Sequence, residues 1–253
     1  YGFRAPQAFD EDLHIDNVGG TVSMIRLAED LGVEKSQSVS VSADIYHSWG
    51  NWQGNVLVEG FYTDLDDVFA LKEIGFENGI LIKERHNESG ARVFGGNLEG
   101  KVAWKDVFQL QLGFTAQNSR YKEARSWSDD VEATVRMFRT PDFHGYMTAS
   151  YNPVKQLTLA LTGTYTGSML LEHHAGMIEK NETVETPSFF DMGFKAAYDF
   201  KVYDSFSLQL NAGVQNMFNS FQNDFDSGAD RDSGYIYGPT LPRAFFFGVK
   251  LLY

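Results

Sequence analysis

The sequence predicts an all-β fold, a transmembrane antiparallel β-barrel to which this chain contributes about nine strands. Segments of alternating apolar and polar residues recur along its 253 residues. Aromatic residues make up 15% of the chain, yet its mean hydropathy is −0.30. No apolar run reaches the roughly 18 residues of a membrane helix. A membrane barrel explains these observations together, because its strands alternate lipid-facing and lumen-facing residues and so keep the average hydropathy low.

The segment 242–253 gives the clearest strand signal, because an apolar face runs to its last residue. One face holds Phe245, Phe247, Val249, Leu251 and Tyr253, and the other holds Ala244, Phe246, Gly248, Lys250 and Leu252. A soluble domain would need to cover that apolar face with other parts of the protein. A barrel strand needs no such cover, since lipid contacts it directly.

The first half of the chain is predicted to hold four further strands. Residues 38–46 alternate strictly between small apolar residues and polar ones, and residues 55–71 continue the pattern. Residues 80–104 are interpreted as one very long strand, and residues 107–118 as the next. A tilted strand needs about 9–11 residues to cross the hydrocarbon core, so these segments are long enough.

Four more strands are predicted in the second half, near 142–152, 155–170, 187–200 and 204–218. The pattern is cleanest in the second of these, where leucines alternate with threonines from Leu157 onward. Together with the final segment, the chain therefore yields about nine strands.

The connections alternate in length, which is typical of outer-membrane barrels with short periplasmic turns and long external loops. Short connections are predicted at 49–52, 104–106, 152–155 and 200–204, long ones at 1–35, 119–141, 174–186 and 219–240, and 74–79 is an exception. Aromatic residues beside the short connections predict an interfacial girdle. They are Trp49, Trp52, Trp104, Tyr151 and Tyr203.

Soluble β-sandwiches and lipocalin-like barrels remain the alternative to a membrane barrel, because they also contain alternating strands. Such folds usually show shorter strands, with turns about every 8–12 residues. Their cores favour Val, Ile and Leu over the Phe and Tyr that occur at these strand ends.

Composition excludes several classes of function. The net charge of −13 argues against nucleic acid as a partner, since nucleic acid binds basic surfaces. The absence of cysteine excludes disulfides and thiol chemistry. No Ser/His/Asp arrangement and no phosphate-binding glycine loop occurs, so no enzyme is predicted. The chain starts at Tyr1 without a signal peptide, so we expect either an exported protein that has lost one or a piece of a longer chain.

The predicted external loops contain candidate ligand-contact residues, whose rings could stack on a flat ligand or a sugar. They are Trp127, His173, His174, Phe225, Tyr235 and Tyr237. Neighbouring side chains on a strand point to opposite faces, so the two histidines are poor joint ligands for one metal.

The acidic loop 223–232 is a candidate calcium site, since Ca²⁺ binds oxygen ligands. Its carboxylates belong to Asp224, Asp226, Asp230 and Asp232. The spacing is not that of an EF-hand, because Gly228 comes too early. A solvated external loop without a metal is the alternative interpretation. No other cofactor is expected.

Four motifs resemble TonB-dependent outer-membrane receptors. They are Gly-Phe-Arg-Ala-Pro at 2–6, Leu-Gly-Val-Glu-Lys-Ser at 31–36, Val-Gln-Asn-Met-Phe-Asn at 214–219 and Gly-Pro-Thr-Leu-Pro-Arg at 238–243. They occur in the family's order and extend across the whole chain, which makes the match specific. The loop at 219–243 most resembles receptors from Bacteroidetes-type bacteria.

The resemblance implies an integral protein of the Gram-negative outer membrane that takes up a scarce nutrient, such as a siderophore, haem, cobalamin or an oligosaccharide. Such receptors have about 22 strands and an N-terminal plug that TonB pulls. Residues 1–253 are therefore expected to form the C-terminal portion of the barrel. An outer-membrane adhesin, or another non-transport barrel, is the alternative function.

The partners follow from the same resemblance. A second polypeptide or a missing upstream segment is expected to supply the plug and the other strands. It would pair with the edges near 36–48 and 242–253, because unpaired backbone groups cannot face hydrocarbon. TonB is expected to act through the plug, and a surface lipoprotein is a further candidate partner.

The last strand also resembles the signal that the barrel-assembly machinery reads, which consists of a glycine, a hydrophobic residue and a terminal aromatic residue. Gly248, Leu251 and Tyr253 match it, although Phe246 stands where a polar residue is usual. The simpler interpretation is that these residues face lipid and close the barrel, and the two interpretations are compatible.

Overall fold

The computed structural model describes residues 1–6, 23–203 and 206–252. No helix in these residues is long and apolar enough to cross a membrane. The strands are β1 (Gly2–Arg4), β2 (Ser23–Leu27), β3 (Glu34–Trp49), β4 (Trp52–Asp66), β5 (Val68–Glu77), β6 (Ile80–Glu88), β7 (Ala91–Trp104), β8 (Phe108–Arg125), β9 (Thr134–Arg136), β10 (Phe143–Val154), β11 (Leu157–Thr166), β12 (Leu170–His173), β13 (Glu182–Glu185), β14 (Phe189–Tyr203), β15 (Phe206–Gln215) and β16 (Ala244–Leu252).

One large antiparallel sheet contains the long strands. Its order is β1-β3-β4-β7-β8-β10-β11-β14-β15-β16, with β9 paired to β8. From β3 to β16, the nine strands on this path have between 9 and 18 residues each. They are long enough to cross a membrane when tilted, which confirms the predicted all-β partial barrel of about nine strands.

Cross-strand pairing joins the apolar side chains of neighbouring strands into one outward face. Val58 lies opposite Leu98, which in turn lies opposite Phe114. At the two ends of the sheet, Val41 is 74% exposed and Phe247 is 71% exposed. The described residues leave this face uncovered, so these side chains form no core among them and are placed to contact lipid.

The opposite face carries polar side chains that bond across strands. The Nδ2 of Asn97 donates to Glu59 Oε2 at 2.8 Å, and the Oγ1 of Thr115 donates to Asn97 Oδ1 at 2.8 Å. Further along the sheet, Gln209 Nε2 donates to Asp199 Oδ1 at 2.9 Å. In a closed barrel this face lines the lumen, as the alternation predicts.

Short and long connections lie at opposite ends of the sheet. Gly50 turns the chain between β3 and β4 with a φ of 60°, a left-handed value that suits glycine. Trp49 lies opposite Trp52, which lies opposite Trp104, so three indoles form part of the predicted girdle at this end. The long connections at the other end are 67–90, 126–142, 167–188 and 216–243.

The predictions of one strand over 80–104 and of another over 55–71 are wrong. β6 ends at Glu88 and β7 starts at Ala91, because Gly90 adopts a φ of 103° and passes so close to Leu65 that a Cβ would lie 1.9 Å from its carbonyl oxygen. The segment 55–71 also contains a break, because β4 ends at Asp66 and β5 starts at Val68.

The strands β5 and β6 form a hairpin that leaves the wall and joins β2 in a separate three-stranded sheet. Asn78 and Gly79 make its two-residue turn with φ values of 52° and 79°, the conformation that Asn-Gly favours. The exceptional connection at 74–79 is therefore the tip of a long external loop. The short and long connections alternate without exception in the described chain.

The prediction of a strand over 155–170 also needs correction. β11 ends at Thr166, and the chain turns where the backbone N–H of Gly167 donates to Phe143 O at 2.8 Å. The short strand β12 follows and pairs with β13, which lies inside the segment predicted to be a plain loop.

Within the described residues, the sheet ends at β16 on one side and at β1 with β3 on the other. β1 pairs with only three residues of β3, from Glu34 to Ser36. The expected pairing of both edges with further strands stays a prediction.

Candidate functional site

The candidate site is a cluster formed by three of the long connections, which we call the loop cluster: residues 126–142, 167–188 and 216–243. They lie together because β8, β11 and β15 all deliver the chain to the same end of the sheet. The hairpin β12–β13 gives the middle loop a regular backbone, and Leu171 of β12 is fully buried. The side chains of the other two loops pack against that hairpin.

His173 joins the second and third loops of the cluster. The residue is 6% exposed, and its Nε2 lies 3.0 Å from Asp226 Oδ1. Its ring stacks on Tyr235, with 3.6 Å between ring centroids and 11° between planes. Because Tyr235 is itself only 5% exposed, these two predicted ligand-contact residues are in contact with each other inside the cluster.

Asp224 accepts hydrogen bonds from two tyrosines of its own loop. The hydroxyl of Tyr235 donates to Oδ2 at 3.0 Å, and that of Tyr237 donates to Oδ1 at 2.7 Å. Burial alone would raise the pKa of Asp224, but the hydrogen bonds from Tyr237 and Tyr235 hold it below its ordinary value. Burial and the carboxylate together raise the pKa of Tyr235 to about 12, and they raise the pKa of Tyr237 as well.

Trp127 connects the first loop to the second. Its indole Nε1 donates to Thr183 Oγ1 at 3.0 Å, and its ring meets that of His174 edge-on with 4.8 Å between centroids. Asn181 Nδ2 adds a bond to Ser128 Oγ at 2.9 Å. Trp127 is half-buried and His174 is exposed, so both reach the surface of the loop cluster.

Arg139 connects the first loop to the third, a role that no sequence pattern indicated. Its Nη1 donates to Ile236 O at 3.1 Å, and its Nη2 donates to Gly234 O. Its backbone N–H donates to Leu170 O at 2.8 Å, so one residue contacts all three loops. The contact spans 95 residues along the chain, and no local pattern could have revealed it.

Three of the four acidic candidates for calcium accept hydrogen bonds from protein groups. Asp226 Oδ2 accepts the backbone N–H of Asp232 at 2.9 Å, and Asp232 Oδ2 accepts that of His174 at 2.9 Å. Asp224 bonds to tyrosines, and Asp230 is exposed. No group of three or more acidic or histidine side chains that could hold a metal occurs in the part of the chain described, and calcium binding stays a prediction.

Of the remaining predicted contact residues, Phe225 is exposed and Tyr237 is half-buried. The structure thus brings Trp127, His173, His174, Tyr235 and Tyr237 into one cluster. His173 and Tyr235 are buried and support the cluster from inside, and the other three reach solvent. Their contact with a ligand stays a prediction.

The residues of the assembly signal lie on both faces of β16. Gly248 faces Asn211, whose side-chain oxygen lies 2.9 Å from where a Cβ would stand, and Leu251 is 64% exposed on the outward face. Phe246 lies over Gly213, which explains how a large ring fits among polar neighbours. Tyr253 lies outside the described residues.

Comparison with known proteins decides the family. The family described as TonB dependent receptor-like, beta-barrel matches residues 1–217. The chain belongs to this family. Its nine-strand wall is therefore part of an integral barrel of the bacterial outer membrane. Membership of a receptor family also confirms that the chain is not an enzyme.

Solved structures with the same fold include the ferric-catecholate import receptor Fiu from E. coli K12, with 19% identity and a TM-score of 0.59 over 88% of this chain and 28% of that one. The FrpB iron transporter from Neisseria meningitidis has 16% identity and a TM-score of 0.56, over 91% and 33%. The siderophore receptor PirA from Acinetobacter baumannii has 17% identity and a TM-score of 0.55, over 93% and 35%.

The chain thus spans about a third of the length of these receptors. No curated protein matches it. At these identities, the likeness establishes the fold alone. The resemblance to Bacteroidetes-type receptors stays a prediction.

Proposed function

We propose that this chain forms part of the wall and the capture loops of a TonB-dependent importer of a scarce nutrient. The observation that carries the proposal is the loop cluster at the external end of a barrel wall of this family. Three loops tied by specific contacts present a shaped surface, whereas three independent loops would need to be ordered when a ligand binds, at a cost in entropy.

Within the cluster, buried and accessible aromatic residues have different roles. His173 and Tyr235 are buried supports that hold the second and third loops together. Trp127, His174 and Tyr237 reach the surface and supply flat rings, which stack on planar ligands or on sugars. A ligand would contact these rings first.

The substrate class is a siderophore, haem, cobalamin or an oligosaccharide. Ferric siderophores are the first candidates to test, because related structures carry the names ferric-catecholate import receptor and siderophore receptor. We propose that the remaining strands, the plug and TonB act with this chain, and that a surface lipoprotein is a further partner.

Uptake by cells carrying the complete receptor tests the proposal. Labelled ferric catecholate, haem, cobalamin and an oligosaccharide are offered in turn, with and without TonB. We expect one of them to accumulate only when TonB is present. Trp127→Ala should weaken its binding about tenfold, because one aromatic stacking contact is lost.

Ile236→Ala serves as the matched control, because it removes an exposed non-aromatic side chain from the same cluster and should leave binding unchanged. If no ligand accumulates but the cells adhere to surfaces independently of TonB, the chain is part of an adhesin instead.

A further inference from the structure

An apolar groove of about 350 Å³ lies on the outward face of β3, β4, β7 and β8, near the short connections. Ile45 and Val56 form one side of the groove, and Leu110 and Leu112 form the other. Trp49 closes it at the end nearest the short turn between β3 and β4. The groove is separate from the loop cluster, which lies at the opposite end of the strands.

Gly100 creates the depth of this groove. Gly100 lies opposite Val56, and no atom lies within 4 Å of the position where its Cβ would stand. Gly54 lies opposite Val102, and the ring of Trp49 rests against it, 2.8 Å from the corresponding Cβ position. Large side chains on both sides of the bare backbone at Gly100 produce a trench, and the ring of Trp49 closes it at Gly54.

The groove belongs to the face that contacts lipid, so hydrocarbon is the material that borders it. It lies beside the girdle of Trp49, Trp52 and Trp104, which marks the interface on the side of the short periplasmic turns. A trench one side chain deep has the shape of an extended acyl chain. An acyl chain lying in it makes closer van der Waals contacts with the groove walls than mobile bulk lipid does.

A cation lies where a lipid headgroup would be. Lys105 follows Trp104 in the turn between β7 and β8, with its Nζ 5.6 Å from the centre of that indole ring. It is three residues beyond Val102 in the groove wall, which corresponds to about 10 Å along an extended strand. The ammonium group is therefore placed to attract a phosphate at the interface.

We propose that this groove binds one phospholipid of the periplasmic leaflet, with an acyl chain over Gly100, between Val56 and Leu112, and the phosphate beside Lys105. The site is distinguished by the combination of bare backbone at Gly100, large apolar side chains on both sides of it and the cation of Lys105 beside Trp104.

Native mass spectrometry of the complete receptor, purified in detergent and titrated with phosphatidylglycerol, tests the proposal. We expect one retained phospholipid in the wild type. Gly100→Leu should fill the groove and weaken retention at least about tenfold, because several methylene contacts are displaced. Gly60→Leu is the matched control, since Gly60 also faces outward with open space around its Cβ position but does not line the groove.

Two further arms identify which part of the lipid is bound. Lys105→Ala should abolish the preference for phosphatidylglycerol over a zwitterionic phospholipid, and glycerophosphate without acyl chains should not compete. Equal loss in both glycine variants, no retained lipid in the wild type, or a second receptor copy or a lipopolysaccharide in the groove would each overturn the proposal.

Discussion

The imidazole of His173 lies flat against the phenol ring of Tyr235, at 3.6 Å between ring centroids, while its Nε2 contacts Asp226. One side chain therefore makes a stacking contact and a polar contact with the same neighbouring loop. His173 and Tyr235 are both buried, so this pair fixes the spacing of two external loops. The following predictions depend on this junction and on the other contacts of the cluster.

His173→Ala should loosen both loops. The variant loses a stacked pair and the contact of His173 with Asp226 Oδ1, a cost of about 1–3 kcal/mol. Hydrogen exchange in 167–188 and 216–243 should accelerate, while exchange in the long strands stays unchanged. His144→Ala, at an exposed position of β10, is the control and should leave both loops protected. Uniform acceleration across the sheet would contradict the assignment.

The tyrosines on Asp224 should titrate at unusually high pH. The pKa of Asp224 is lowered in the folded protein. Its contribution to the stability of the folded state is therefore present above the ordinary pKa of about 4 and is lost as pH falls through the folded pKa. The pKa of Tyr235 is raised to about 12. Its contribution to the stability of the folded state is therefore present below pH about 10 and is lost as pH rises through about 12.

Ultraviolet absorbance of phenolate measures this effect. Asp224→Asn should lower the pKa of both tyrosines, since the charged acceptor disappears while burial remains. Asp230→Asn changes an exposed carboxylate of the same loop and should leave the titration as it is. Identical titrations of the two variants would exclude Asp224 as the cause.

Arg139→Lys should release the third loop from the first. A guanidinium can donate to two carbonyl groups at once, and an ammonium on a shorter stem cannot reproduce that geometry. Amide exchange around Ile236 should increase about tenfold or more. Arg231→Lys provides the control, because Arg231 donates only within its own loop, to Gly228 O. If both variants behave alike, Arg139 does not hold the loops together.

Gly90→Ala should impair folding more than Gly79→Ala. Both glycines have positive φ, but only at Gly90 would the added Cβ collide with backbone, because Leu65 O would lie 1.9 Å from it. We expect a cost of about 1 kcal/mol for Gly79, from strain alone, and of several kcal/mol for Gly90. The yield of folded receptor that shifts on heating in gel electrophoresis reports the difference. Equal yields would show that the chain can move away from Leu65.

The strands of the wall were predictable because the physical requirement acts on every second residue. Lipid demands an apolar side chain on one face, so the alternation in β3, β8 and β16 is visible without any tertiary information. The connection at 74–79 was predicted, and Asn78 and Gly79 form its turn. The breaks at Asp67 and Gly90, which separate this hairpin from the wall, were missed because the apolar pattern continues across them.

The loop cluster was predictable only in composition. The sequence marked Trp127, His173 and Tyr235 as notable aromatic residues, yet it could not show which of them are buried. That distinction depends on which loops meet, and the meeting of Arg139 with Gly234 is set by three strand pairs between them. Contacts between distant loops carry no local periodicity.

Every long strand of the wall lies beside the long strands that precede and follow it in the chain. Gain or loss of one hairpin during evolution would therefore leave the remaining pairs in their original alignment and change only the circumference. The same change in a Greek-key sandwich would disturb pairs between strands that are distant in the chain.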